Sequence, residues 1–249
     1  MIRALLIFLV CCLSVSYAFA HSNGDAITID LAQDHVDITT GFNGARLHLF
    51  GEVTQNGQVV ITVKGPKKDM VVRQKSRIGG VWMNSDSMRF ENVPQFYDFA
   101  MSDAESDVLD SAKRRALGIG FSYLKFDPKD DDVSEDKRKR FQNALLREKQ
   151  SEKLFPIEPE RIVFLSDHFF RAEFYVPSNV PTGQYMIDTF FIRDGDIVEQ
   201  KKTSVKVAQI GFAAGVKLFA SSYSFAYAIL IILIAVVAGW LSNAVRLEN

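Results

Sequence analysis

Hydrophobic and polar positions alternate along most of the chain, change to helical spacing near residue 102, and return to alternation after residue 160. Ala45, Leu47, Leu49 and Val53 alternate with Arg46, His48 and Glu52, and Val59, Ile61 and Val63 alternate with Thr62 and Lys64. A period of two is the mark of a half-buried strand. Asn56-Gly57 between the two runs predicts a hairpin, because both residues tolerate positive φ. Further strands are expected over 69–76, 81–92 and 95–102, punctuated by Gly79-Gly80 and Pro94. Ser102-Asp103-Ala104-Glu105 then has the form of a capping box, followed at helical spacing by Val108, Leu109, Ala112 and Ala116, with Gly118 as the stop. A second helix is expected over 134–153, with Phe141, Leu145 and Lys149 on one stripe and Glu135 set to pair with Lys139. Strands resume over 161–165, 170–176, 184–193 and 197–207, the last two joined by Asp194-Gly195. Tyr185, just inside a strand after Pro181-Thr182-Gly183, fits the tyrosine corner of immunoglobulin-like sandwiches. The expected fold class is mainly β: an immunoglobulin-like β-sandwich with an α-helical insertion at about 102–155. Two small sandwiches are the alternative.

The two ends have a different pattern. Residues 1–20 read as a signal peptide: Arg3, an apolar middle from Leu5 to Val15, and Ala18-Phe19-Ala20 before His21. Both cysteines, Cys11 and Cys12, lie inside it, so the mature chain would carry no disulfide, thiolate nucleophile or cysteine metal site. At the other end no charged residue occurs from Leu218 to Val245. A C-terminal transmembrane helix is expected over 218–243, with Tyr223, Tyr227 and Trp240 near the two interfaces. Only Arg246 follows it, balanced by Glu248, so flanking charge sets no orientation. The signal does: residues 21–217 are expected in the periplasm and 244–249 in the cytoplasm. The span would place the protein in the inner membrane, with the bilayer as its first partner. Ala235 and Gly239 form a small-xxx-small pair through which two copies could dimerise.

Composition adds little chemistry. The chain has 249 residues, 29 Lys+Arg against 30 Asp+Glu, and 47% hydrophobic residues. It is apolar enough to build a core, which excludes disorder as its main state. A formal net charge of −1 lacks the basic excess of a nucleic-acid binder. Among candidate sites, Arg73 and Arg77 precede Trp82 and Asn84, a basic strand face beside an aromatic that would suit an anion or a partner. The competing reading is a solvated strand edge blunted by cations, with a core Trp. His21 would become the first residue of the mature chain. Its amine and imidazole, with His48 as the foremost second ligand and His35 or His168 behind it, could brace copper. The basic run Lys137-Arg138-Lys139-Arg140 spreads around its helix and reads as a solvated, charge-laced face. Ser166-Asp167-His168 has triad residue types, but consecutive residues read as a turn. No catalytic constellation emerges and no cofactor is implied.

Several stretches resemble one family. They include Ile38-Thr39-Thr40-Gly41-Phe42-Asn43-Gly44-Ala45, Lys64-Gly65-Pro66 and Arg77-Ile78-Gly79-Gly80-Val81-Trp82-Met83-Asn84. Pro94-Gln95-Phe96-Tyr97, Phe169-Phe170-Arg171-Ala172, Asn179 through Tyr185, and Gly239-Trp240-Leu241 complete the set. Together they resemble the alphaproteobacterial family described as "putative transmembrane protein". The resemblance covers nearly the whole mature chain and implies an exported domain with a C-terminal span. It supplies no reaction and no catalytic residues. Members are often encoded beside sulfite-exporter-like permeases, which implies an accessory role in transport.

Three functional classes stay open at this point. The leading one is a single-pass, membrane-anchored periplasmic binding protein, accessory to a membrane complex or permease. The second is a periplasmic copper-binding protein using His21. The third is a membrane-tethered enzyme of unspecified reaction.

Overall fold

The structure, a computed structural model, describes residues 25–39, 41–103, 108–130 and 133–247, without the side chains of 212–214, 217–218 and 241–247. The chain is mainly β. Its strands in order are β1 (Ile27–Leu31), β2 (His35–Ile38), β3 (Ala45–Val53), β4 (Gln58–Lys64), β5 (Lys67–Ile78), β6 (Val81–Pro94) and β7 (Tyr97–Met101). After helix α1 (Ser111–Leu117) come β8 (Asp127–Pro128) and helix α2 (Glu135–Ser151). Then follow β9 (Glu160–Arg161), β10 (Val163–Phe164), β11 (Phe169–Val176), β12 (Gly183–Arg193) and β13 (Asp196–Gln209). Helices α3 (Phe212–Ser222) and α4 (Ser224–Leu247) close the chain.

One sheet has the order β1-β3-β11-β10 and a second the order β2-β13-β12-β4-β7-β9. Alternation explains the first. Leu47, Leu49 and Val53 on β3, with Phe170, Ala172, Phe174 and Val176 on β11, are buried, while their sequence neighbours reach solvent or lie half-buried. The second sheet meets this face. Directly opposed residues share a face, so Val59, Ile61 and Val63 lie together with Phe191, Thr189 and Ile187. That face turns to the first sheet: Glu199, opposite Phe191, accepts the backbone N–H groups of Ala26 and Ile27 at the start of β1. The other face of β7 turns to the helices. The Tyr97 ring packs 6.0 Å from Phe155, and its hydroxyl donates to Gly118 O while accepting Gly120 N–H. Burial on both faces leaves β4 buried at every position from Val59 to Val63 and β7 at all five of its residues.

Tyr185 donates its hydroxyl to Pro181 O at 2.6 Å, four residues upstream. Asp194 (φ 53) and Gly195 (φ 76) make the expected tight turn between β12 and β13. The Asn56-Gly57 expectation is overturned. β3 pairs with β1 and β11, whereas β4 pairs with β12 and β7, so the turn passes the chain from one sheet to the other. Gly57 serves packing there, since a Cβ would run into the Phe191 ring. Helix α1 has its own cap, Asp110, which accepts Lys113 N–H at 2.7 Å, and Gly118 (φ 64) ends it as expected; Val108 before it is also helical, and most of the proposed capping box, residues 104–107, lies outside the described residues.

The expected span over 218–243 is not one element. Residues 218–222 finish α3, and Tyr223, in non-helical backbone, separates α3 from α4. Among the described residues no helix is long and apolar enough to cross a membrane. The side chains described on α4 run from Ser224 to Trp240, about 25 Å of helix against a hydrocarbon core of ~30 Å. These side chains are exposed on every side: Phe225 (80%), Val236 (65%) and Trp240 (70%) among them. The signal peptide expected over 1–20 lies outside the described residues.

Candidate functional site

A long two-stranded arm carries the exposed residues that the sequence singled out. β5 and β6 pair antiparallel from Lys67 opposite Pro94 to Ile78 opposite Val81. Gly79 (φ 59) and Gly80 (φ 87) form a two-residue turn of the type that follows the right-handed twist of its strands. β8 adds a third strand only at the base, against Phe90 and Glu91. There Val72, Met88, Phe90 and Val93 are buried, and the Phe90 ring meets Phe126 at 6.2 Å.

The arm is tied to α2 at Asp86. Lys137 Nζ donates to Asp86 Oδ1 at 2.8 Å, and the Arg140 guanidinium stands 3.7 Å from the other oxygen. The Lys137 hydrogen bond is the main cause that holds the Asp86 carboxyl below its ordinary pKa. The pairs are solvent-exposed, so they orient the arm more than they stabilise it. The rest of the basic run behaves as a charge-laced helix: Arg138 chelates Glu135 at 2.9 and 2.6 Å, and Lys139 lies 3.7 Å from the same carboxylate.

Beyond the bulge at Gln74/Lys75 nothing among the described residues covers the arm. Arg77 lies opposite Trp82 and Lys75 opposite Asn84, so these four share one face. Ile78, Val81 and Met83 lie on the other, together with Ser76. Trp82 is 68% exposed and Val81 63%. Arg77 Nε donates to Gly80 O at 3.1 Å and closes the turn. Three of the four residues proposed from sequence, Arg77, Trp82 and Asn84, are therefore one surface. The fourth is not part of it. Arg73 sits below the bulge, opposite Ser87, and lines a groove of about 260 Å³ with Arg140, Phe141, Ala144 and Arg147 of α2. Trp82 is not a core residue, which removes half of the competing reading.

The three described histidines do not assemble. His21 lies outside the described residues. His48 is half-exposed with Nδ1 3.7 Å from Glu173, and His35 is exposed between Asp34 and Asp37. His168 lies beside Val53, five residues along β3 from His48, about 16 Å away. Among the described residues no group of three or more His, Cys, Asp or Glu could hold a metal. A cavity of about 840 Å³ is an open hollow between turns lined by Asn56, Ser102, Asp103 and Ser166-Asp167-His168. Ser166 Oγ accepts Phe169 N–H at 3.1 Å, which makes this segment the turn it was expected to be.

One buried group had no sequence signal beyond its position. Asp98 is an acid in the middle of the apolar strand β7, 3% exposed, on the same sheet face as Val63. Burial pushes its carboxyl up to about 8, against the Phe99 N–H that it accepts at 2.7 Å, with the negative charge of Glu160 adding to the rise.

The comparisons agree with the membrane character of the sequence. A family model described as "Putative transmembrane protein", alphaproteobacterial, matches residues 26–246. The chain belongs to this family. No curated protein matches it. Among solved structures, a chain from "Structural basis of T cell specificity and activation by the bacterial superantigen toxic shock syndrome toxin-1" aligns over 74% of this chain and 99% of its own, at 8% identity and a TM-score of 0.26. A score that low carries no argument about either fold or function.

Proposed function

We propose that this family member is a single-pass, membrane-anchored binding protein whose β domain is exported to the periplasm and serves a membrane complex or permease as an accessory. The observation that carries the reading is the arm: a solvent-exposed tip of Ile78, Val81, Trp82 and Met83, held out from a well-packed body. Contiguous apolar exposure of this kind on a folded domain marks an interaction surface. α4 is the anchor. Among its described side chains, from Ser224 to Trp240, none is charged and nearly all are exposed, which supports that reading. Ala235 and Gly239, one turn apart on α4, would let a neighbouring helix approach closely, whether a permease helix or a second copy. The body is read as an immunoglobulin-like sandwich, supported by its two facing sheets and the Tyr185–Pro181 bond.

The test is photo-crosslinking in the native membrane. A crosslinker at position 82 in the full-length chain is expected to capture a defined membrane neighbour. Capture is expected to be lost when α4 is replaced by an unrelated apolar helix. A chain that crosslinks to nothing at the arm or along α4 would end the accessory reading.

A further inference from the structure

The arm and the terminal helix leave the body at the same end. β4 and β13 both run antiparallel to β12, so they point the same way. β4 ends at Lys64, opposite Met186, and β13 runs past Val207, opposite Gly183, so both exits lie at the start of β12. Pro66, just before the arm, packs against Gly183: a Cβ there would lie 2.9 Å from the proline ring. The exits are thus two strands, about 10 Å, apart. The arm also continues the β4–β7 pair instead of folding away from it. Gly65 N–H donates to Phe96 O at 2.8 Å and Gln95 N–H to Pro66 O at 2.9 Å, bridging the two ladders.

Reach agrees with direction. β5 has 12 residues, about 40 Å of strand, whereas α3, between the body and α4, has 11 residues and spans about 16 Å. Whatever bilayer α4 enters lies within range of the arm's tip.

The tip's chemistry changes with distance from the body in the order an interface requires. Ile78, Val81, Trp82 and Met83 come last, exposed at 52–68%. Arg77 stands level with Trp82 and one position ahead of Met83, Lys75 and Arg73 follow towards the body, and residues 70–85 contain no Asp or Glu. An apolar end carrying Trp, flanked and followed by cations on long apolar stems, matches the acyl boundary and the phosphate layer of a bilayer.

We infer that the β5–β6 tip inserts into the interface of the same bilayer that holds α4, with Trp82 at headgroup depth and Lys75 and Arg77 on anionic lipid phosphates. This rests on the anchored topology proposed above and names the arm's target as lipid. Two attachment points would fix which side of the domain faces the membrane.

The test uses the full-length chain with Trp240→Phe, which leaves Trp82 as its one tryptophan. It is reconstituted in phosphatidylcholine–phosphatidylglycerol vesicles with or without brominated acyl chains. Trp82 emission is expected to lie to the blue of a solvated indole and to lose about half its intensity in brominated lipid. Replacing Lys75 and Arg77 by Gln is expected to reduce the quenching more in anionic than in neutral vesicles. Water-like emission without quenching overturns the inference. If crosslinking at position 82 then captures a membrane protein or a second copy, the tip's target is that protein and the accessory reading survives. If neither position 82 nor α4 captures anything, both readings fall.

Discussion

β3 with β11 and β5 with β6 are both long antiparallel pairs, yet they have opposite fates. Eight residue pairs join β3 to β11, and every second residue of β11 is buried against the facing sheet. Eleven pairs join β5 to β6, and in the outer half neither face is covered. Backbone pairing runs the length of both, continuous in β3–β11 and broken at two irregularities in β5–β6. What differs is whether a second layer removes the apolar face from water, which is where most of the stabilisation arises. A two-stranded ribbon is marginal by itself, so the tip stands on its buried base. The teaching is that a chain can hold apolar side chains outside its core at little cost to folding, if a packed base supports them.

The comparison breaks first, and hardest, at Phe170. Phe170→Ala empties a site with no solvent exposure and is expected to cost about 3–5 kcal/mol, read as a lowered unfolding midpoint of the full chain in detergent. A loss below about 1 kcal/mol would mean that the sheets do not share a tight core.

Asp98 sharpens it from the opposite direction. Its folded pKa of about 8 lies above the ordinary value of 3.8 for an aspartate, so the folded state holds a proton that the unfolded chain releases. Stability should therefore fall as pH rises from about 4 to about 8 and then level off. Asp98→Asn is expected to flatten that slope and to gain on the order of a few kcal/mol at pH 8 and above, with no gain near pH 4. Denaturation curves at several pH values check it, and parallel slopes for both proteins would refute it.

Gly51 tests the packed pair without removing anything. It lies on β3 opposite Phe170, and a Cβ there would strike that ring. Gly51→Ala is expected to destabilise by about 1–3 kcal/mol through overpacking, measured by the same midpoint.

The smallest effect belongs to the tip. Trp82→Ala should change stability by less than about 0.5 kcal/mol, because nothing packs on the ring. Its consequence is expected in what the arm captures and not in folding. A loss comparable to that of Phe170→Ala would mean the indole is part of the core after all.

Much of this was readable before any coordinates. Alternation located β3, β4, β11 and β12, and turn chemistry located the Asp194-Gly195 hairpin and the Gly118 stop. Tyr185 was recognisable from the Pro-Thr-Gly before it, and its hydroxyl does bond back to Pro181. Asn56-Gly57 shows the boundary of such reading. The residues encode a reversal of the chain but not the pairing, because the partners of β3 and β4 on β11 and β12 lie more than 100 residues away. Asp98 was passed over for a related reason, since an acid within Tyr97–Met101 looks like any strand position until the sheet face it shares is known. The candidate site divides the same way. Arg77, Trp82 and Asn84 come together because a two-residue turn fixes their register, and Arg73 drops out because a bulge lies between.

The sequence by itself determined most of the strands from β3 onward, the tight turns, the apolar terminal helix and the family, since these depend on local spacing and side-chain chemistry, whereas the short β1, β2 and β8 went unread. Only the tertiary structure decided which strands share a sheet, that β4 and β7 are covered on both faces, and that the arm leaves the body beside the strand leading to α4. Those are matters of long-range pairing, where one turn can serve two topologies and burial of a common core selects between them.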